Sequence, residues 1–258
     1  MIGNGQIAMI TAQAAFGVLG PMILFIVLRK KYRMKTEAFV IGCITMLVFA
    51  MVLESAVHRL VLGSSAGSVL NSNTLYYAIY GAAMAALFEE TGRYIAFHVL
   101  MKHLHSDDRN AIMYGAGHGG LEVFMVLGMT GVSNLAMVMA INNGTLPQYT
   151  GEAQELLERS VELLKNTAAP VYLFGMMERV SAVMLQIVLS IIVWQTVKQV
   201  KGRIMYLFLA MLLHFAFDFL TVMLGSMIPV AVLELILLVI AAAMLTVSLK
   251  RFHRKQGI

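Results

Sequence analysis

Apolar residues run through this chain in blocks of about twenty, separated by short polar stretches. A helix needs roughly 20 such residues to cross the hydrocarbon of a bilayer. Seven blocks approach or exceed that length: 6–28, 38–62, 75–101, 111–141, 170–197, 204–224 and 227–249. The pattern predicts an all-α, polytopic transmembrane bundle of about seven spans, with residues 1–258 forming a single integral membrane domain. The fourth block is long. It reads either as one tilted helix or as a helix broken near 128–131. The connection 143–169 contains a stretch, 152–165, where Leu156, Leu157, Val161 and Leu164 recur at helical spacing. This predicts a short amphipathic helix, lying on the membrane surface or standing as a solvated loop helix.

Composition agrees with lipid as the solvent. Only 13% of the residues are charged, against about 25% in a soluble domain. The net charge of +5 does not point to nucleic acid, because the basic residues sit in short loops between apolar blocks. Arg29, Lys30, Lys31, Arg33 and Lys35 follow the first block, and Lys102 and Arg109 follow the third. Lys198, Lys201 and Arg203 follow the fifth, and Lys250, Arg251, Arg254 and Lys255 follow the seventh. Fourteen of the 19 basic residues thus fall in alternate loops, which orients the N-terminus outside and the C-terminus in the cytoplasm. The basic loop comes after the first block rather than before it, so that block reads as a retained helix and not a cleaved leader. The expected location is a prokaryotic cell membrane. The lone Cys43 excludes an intramolecular disulfide and a multi-cysteine metal site.

Against that apolar background stand groups that lipid does not tolerate. Glu54, Glu89, Glu90, Glu122, Glu178, Asp218 and Glu234 lie within the blocks, with His58, His98, His118, His214, Arg93 and Arg179. A charge at the bilayer centre costs about 2.5–3.5 kcal/mol even on the lenient insertion scale. Such groups must be paired, neutralised or wetted. Counting residues from the basic ends of their blocks places Glu89, Glu90, His118, Glu122, His214 and Asp218 at overlapping depths, roughly 10–21 Å in. His118 and Glu122 are four apart, as are His214 and Asp218, and Glu89 and Arg93. Each such pair shares one helix face, and the three faces are expected to converge. Glu54 and His58, and Glu178 with Arg179, lie toward the opposite side. They read as an outer polar layer, structural pairing or a wetted vestibule. Glu234 has no evident partner. Gly115, Gly117, Gly119 and Gly120 surround His118, either to let helices approach closely or to admit a substrate backbone.

A carboxylate beside a histidine can hold and deprotonate water, and a second histidine can donate to a developing oxyanion. The chain has no Gly-x-Ser-x-Gly motif and no His-Glu-x-x-His motif, so neither a serine nucleophile nor that zinc arrangement is supported. Zinc remains open through His118, Glu122 and His214, whose side chains are ordinary zinc ligands. A proton-coupled transporter or channel would also bury Glu, Asp and His. Against it stand the absence of an internal repeat and the concentration of polar groups in one layer.

Glu89-Glu90-Thr91-Gly92-Arg93 resembles the Glu-Glu-x-x-x-Arg motif of the CAAX-protease and bacteriocin-processing superfamily of intramembrane proteases. Tyr114-x-x-x-His118 is similar to its Phe-x-x-x-His motif, and His214-x-x-x-Asp218 to its His-x-x-x-Asn/Asp motif. The resemblance is to the YhfC-like branch, with a protease core over roughly 75–224. It implies an endopeptidase that hydrolyses peptide bonds of membrane-associated peptides or proteins with activated water and without a required cofactor. Glu89 would be the base, assisted by His118. His214 and Asp218 would form the oxyanion site, with Glu90 and Arg93 bracing Glu89. The arginine here stands one residue closer to the glutamates than in the family pattern, and tyrosine replaces phenylalanine.

Overall fold

Long apolar blocks with capped ends fold as helices here. The computed structural model describes residues 1–198 and 202–256, with side chains as far as Arg251. Lys201 and the side chains of Arg254 and Lys255, counted above for orientation, lie outside the described residues. The helices are α1 (Asn4–Lys30), α2 (Thr36–Leu62), α3 (Ser65–Asn71), α4 (Thr74–Ile95), α5 (Arg109–Asn143), α6 (Glu152–Asn166), α7 (Ala169–Val197), α8 (Met205–Gly225) and α9 (Val230–Gln256). No strand occurs among the described residues. Local chemistry sets several ends. Asn73 caps α4 by accepting from the Leu75 amide, and Pro170 sits in the first turn of α7, where no amide donor is needed. α5 stops at Gly144, whose φ of 70° favours glycine.

Among the described residues, α1, α2, α5, α7, α8 and α9 are long and apolar enough to cross a membrane. The seventh long helix, α4 with its continuation Ala96–Leu100, covers the block 75–101 but misses that standard. The cause is chemical: it carries Glu89, Glu90 and Arg93, all buried. The long fourth block is one continuous helix. It does not break near 128–131 but widens into π-helical turns over Phe124–Met129. Similar wide turns occupy Met46–Glu54 and Ala96–Leu100.

Contacts between loops place three of the basic connections at one end of the bundle. Arg109 donates to the Tyr32 carbonyl at 3.3 Å, His103 meets Glu37 at 2.8 Å, and Lys198 donates to the His105 carbonyl at 3.1 Å. In that turn Arg109 also clasps Asp107, and the guanidinium holds the Asp107 carboxyl below the usual range. At the opposite end, the Ile2 amide donates to Asn142, and Gln6 donates to carbonyls of Leu164 and Thr167. These bonds tie α1, α5 and the end of α6 together.

The first half of α5 is the axis of the bundle, and every residue from Asn110 to Gly120 is buried. α2 and α7 pack along it, α1 crosses it, α9 packs on α7, and α4 lies between α2 and α8. Missing side chains make this possible. A Cβ on Gly117 would sit 2.1 Å from the Phe39 carbonyl oxygen, and one on Gly42 would sit 2.2 Å from that of Tyr114. On the other side, Gly115 lies against the Ile187 backbone, and Gly119 and Gly120 face Val183 and Pro21. The glycines around His118 therefore serve helix approach, not an open path beside the imidazole. Edge-to-face contacts of Phe97 with Tyr114 and Trp194 close the basic end of this core.

Candidate functional site

Each polar face comes from a different helix. α4 supplies Glu89, Glu90 and Arg93, α5 supplies His118 and Glu122, α7 supplies Glu178, Arg179 and Gln186, and α8 supplies His214 and Asp218. The axial position of α5 forces His118, which is fully buried, to find a partner within the protein. Its Nε2 donates to Oε2 of Glu89 at 2.9 Å, while its Nδ1 has no hydrogen-bond partner among the described residues. The same Glu89 oxygen accepts from Nε2 of Gln186 at 2.8 Å. Gln186 in turn accepts through Oε1 from Arg93. This fixes which way its amide faces.

Arg93 also donates to both oxygens of Glu90, at 2.5 and 2.6 Å. Arg93 and Glu90 are both fully buried, and their pairing compensates charges that lipid would reject. The i,i+4 spacing put Glu89 and Arg93 on one helix face; within it the guanidinium bonds to Glu90 and meets Glu89 through Gln186. His214 is anchored by Nδ1 to Glu90 at 2.8 Å. Its Nε2 then lies 3.9 Å from Glu89 Oε2 and 3.5 Å from Asp218 Oδ2. Glu89, His118, His214, Asp218, Glu90 and Arg93 thus form one assembly.

Glu89, His214 and Asp218 open onto a cavity of about 90 Å³, which Gln186, Glu122, Glu178 and Arg179 also line. That is room for water beside the carboxylates. Arg179 bridges Glu122 and Glu178 at the wall. Glu178 and Arg179, placed by sequence in a separate outer layer, therefore share the cavity of the central carboxylates. Glu54 and His58 pair with each other at 3.1 Å, with Tyr80 on the other imidazole nitrogen at 2.9 Å. Glu234 is buried with one oxygen unpartnered. His98 bonds the Tyr94 carbonyl within its own helix.

The sequence reading missed Gln186, which was not singled out as a site residue. An uncharged amide was not weighed as an intramembrane ionisable group, but it is a lone amide in the apolar run Met184–Ile192. In lipid such a group also demands partners.

Zinc takes His and carboxylate ligands at about 2.0–2.2 Å, at least three of them in known catalytic sites. The sequence-derived trio of His118, Glu122 and His214 is not grouped to hold a metal ion; Arg179 holds Oε1 of Glu122, and its Oε2 has no partner among the described residues. Glu89 Oε2 already accepts from two donors, and His214 Nδ1 is committed to Glu90. Among the described residues no three His, Cys, Asp or Glu side chains are grouped to hold a metal ion. The donors as arranged do not fit a preformed zinc shell.

Comparison with known proteins adds a family. The model of a family described as "YhfC intramembrane metalloprotease" matches residues 16–240. The uncharacterized membrane protein YhfC of Bacillus subtilis (strain 168) is 34% identical over 247 residues, spanning 94% of this chain and 95% of the relative. No solved structure matches the chain. A prokaryotic cell membrane fits both the apolar helices and this bacterial membrane relative. With nearly nine-tenths of its length matched, the chain belongs to the YhfC intramembrane metalloprotease family.

Proposed function

We propose that this protein is an intramembrane endopeptidase that hydrolyses peptide bonds of membrane-associated substrates with water activated by Glu89, in the manner of the CAAX-protease and bacteriocin-processing superfamily. One observation carries the reading. Both donors to Glu89, from His118 and Gln186, land on Oε2, while no hydrogen bond among the described residues involves Oε1. The carboxylate is held by one oxygen, and Glu89 lines the cavity.

In this mechanism Oε1 of Glu89 accepts a proton from a cavity water as the water oxygen attacks the scissile carbonyl carbon. His118 fixes the orientation of the carboxylate. Nε2 of His214 donates to the oxyanion that forms, with Glu90 aligning the ring through Nδ1 and Asp218 standing beside Nε2 in the oxyanion site. When the tetrahedral intermediate collapses, the C–N bond breaks and Glu89 returns the proton to the leaving amine. Glu90 and Arg93 hold His214 and Gln186 in register. The family description names a metalloprotease, but the donor arrangement does not suit zinc, and no step here passes through a metal. The substrate is a peptide or membrane protein, not a nucleic acid. The N-terminus faces outward and the C-terminus the cytoplasm, following the basic loops.

Cleavage of a membrane-embedded peptide by purified protein in detergent tests the proposal, with Glu89→Gln as the key variant. Wild-type cleavage that Glu89→Gln abolishes supports it. Full turnover by Glu89→Gln would remove the base. Proton-linked solute uptake by the wild type in vesicles, without peptide cleavage, would establish the transporter reading instead.

A further inference from the structure

A second cavity, about 740 Å³, lies away from the catalytic carboxylates between α7, α8 and α9. It exists because α9 packs chiefly on α7 and much less on α8, which leaves a slot along the α8–α9 seam. The deep part is apolar, lined by Val188, Ile192, Leu209, Leu213, Met244 and Val247. Its polar wall is confined to one end, at Gln195, Tyr206, Ser248 and Arg251. On each helix the polar residue is the one nearest the basic end. From Arg251 to Ala243 the slot is eight residues deep, about 12 Å along a helix.

The charge at the mouth has one sign left over. Asp108 also lines the slot, but it accepts from the Trp194 indole at 2.9 Å and is paired with Lys198. Arg251 is exposed and makes no hydrogen bond or ion pair among the described residues. It also follows Lys250 directly after the apolar block 227–249, which places it at the interface. An apolar slot ending in an uncompensated cation at the bilayer surface has the chemistry of an amphiphile with an anionic head. Basic pockets between membrane helices bind anionic lipid headgroups in this way.

We propose that this slot is a binding site for an anionic phospholipid, with one acyl chain between α8 and α9 and its phosphate at Arg251. The site does not depend on the peptidase reading. Trp194 is the chain's single tryptophan, is fully buried, and bonds to Asp108 in the slot wall. It is a built-in reporter beside the slot.

The experiment measures quenching of Trp194 fluorescence in the full-length purified protein by phosphatidylglycerol brominated on its acyl chains, with brominated phosphatidylcholine for comparison. Wild type is expected to bind the anionic lipid about fivefold more tightly, the contribution of one basic residue near an anionic surface. Arg251→Gln, at an exposed position that folding does not need, should erase that preference. Ala243→Phe, which fills the slot, should reduce quenching by both lipids. Equal quenching by the two lipids in wild type, or a preference that survives Arg251→Gln, would overturn the headgroup assignment. Quenching undiminished in Ala243→Phe would show that the bromines reach Trp194 from outside the slot, and the site would be discarded.

Discussion

The carboxylate of Glu89 and the imidazole of His118 meet at 2.9 Å across two helices, 29 residues apart in the chain. Among the described residues His118 has no other hydrogen-bond partner and Oε1 of Glu89 has none, and Glu89 lines the cavity. Glu89→Gln preserves shape and most hydrogen bonding, so it is expected to leave the melting temperature within a few degrees of wild type and to remove proteolysis. His214→Ala is expected to retain a remnant, with turnover reduced on the order of 10²–10³-fold for the loss of one oxyanion donor. Single-turnover cleavage in detergent measures both. A His214→Ala protein as active as wild type would leave the oxyanion without its donor.

Gln186 is a positioning residue joining Glu89 to Arg93. Gln186→Leu leaves a buried guanidinium nitrogen without its partner, at a cost of about 1–3 kcal/mol. Gln186→Glu places a further carboxylate beside Glu89 and is expected to shift the pH profile of turnover. Gln186→Leu is expected to lower the plateau without that shift. Identical pH profiles for wild type and Gln186→Glu would deny the residue any electrical hold on Glu89.

Metal dependence follows from the donor geometry. Protein stripped with a chelator and shown by elemental analysis to be metal-free is expected to cleave at the wild-type rate. Stoichiometric zinc whose removal ends activity, and whose return restores it, would replace the glutamate mechanism with a metal-based one.

Packing at the axis is testable without an assay of activity. Gly117→Ala sets a methyl 2.1 Å from the Phe39 carbonyl, whereas a Cβ on Gly81 would meet nothing within 4 Å. Gly117→Ala is expected to destabilise by about 1–3 kcal/mol or more, seen as aggregation or a lowered melting temperature. Gly81→Ala is expected to be neutral or slightly stabilising. Equal stability of the two variants would mean that α2 and α5 are not in contact there.

Orientation can be read with single cysteines in a Cys43→Ser background. Ser106→Cys lies in the loop before α5, and Ser160→Cys on α6 after it; both positions are exposed. Only Ser160→Cys is expected to react with a membrane-impermeant maleimide added to intact cells. Reaction of Ser106→Cys alone would invert the topology.

The apolar blocks and the depths of the buried carboxylates and histidines were legible in the sequence because lipid imposes a strict penalty at each position. Spacing along one helix identified faces but not partners. Arg93 chose Glu90 over Glu89, and Glu122 turned to Arg179 rather than His118, because those choices depend on what a neighbouring helix presents. The glycines near His118 allowed two readings, and only the placement of Phe39 and Ile187 decided between them. Gln186 was missed because it titrates with nothing, although burial makes its amide as demanding as a charge.

The polar load of α4 bears on how the protein is made. During synthesis α4 emerges before α5, α7 and α8, which carry the groups that satisfy it. Glu90 can find Arg93 within the same helix at once, but Glu89 must wait for His118 and Gln186, the latter 97 residues later. A nascent chain ending before α7 therefore holds a half-satisfied helix that lipid disfavours. Stable insertion of α4 becomes a late event in biogenesis, and an incomplete chain is exposed to membrane quality control before its buried polar groups can meet.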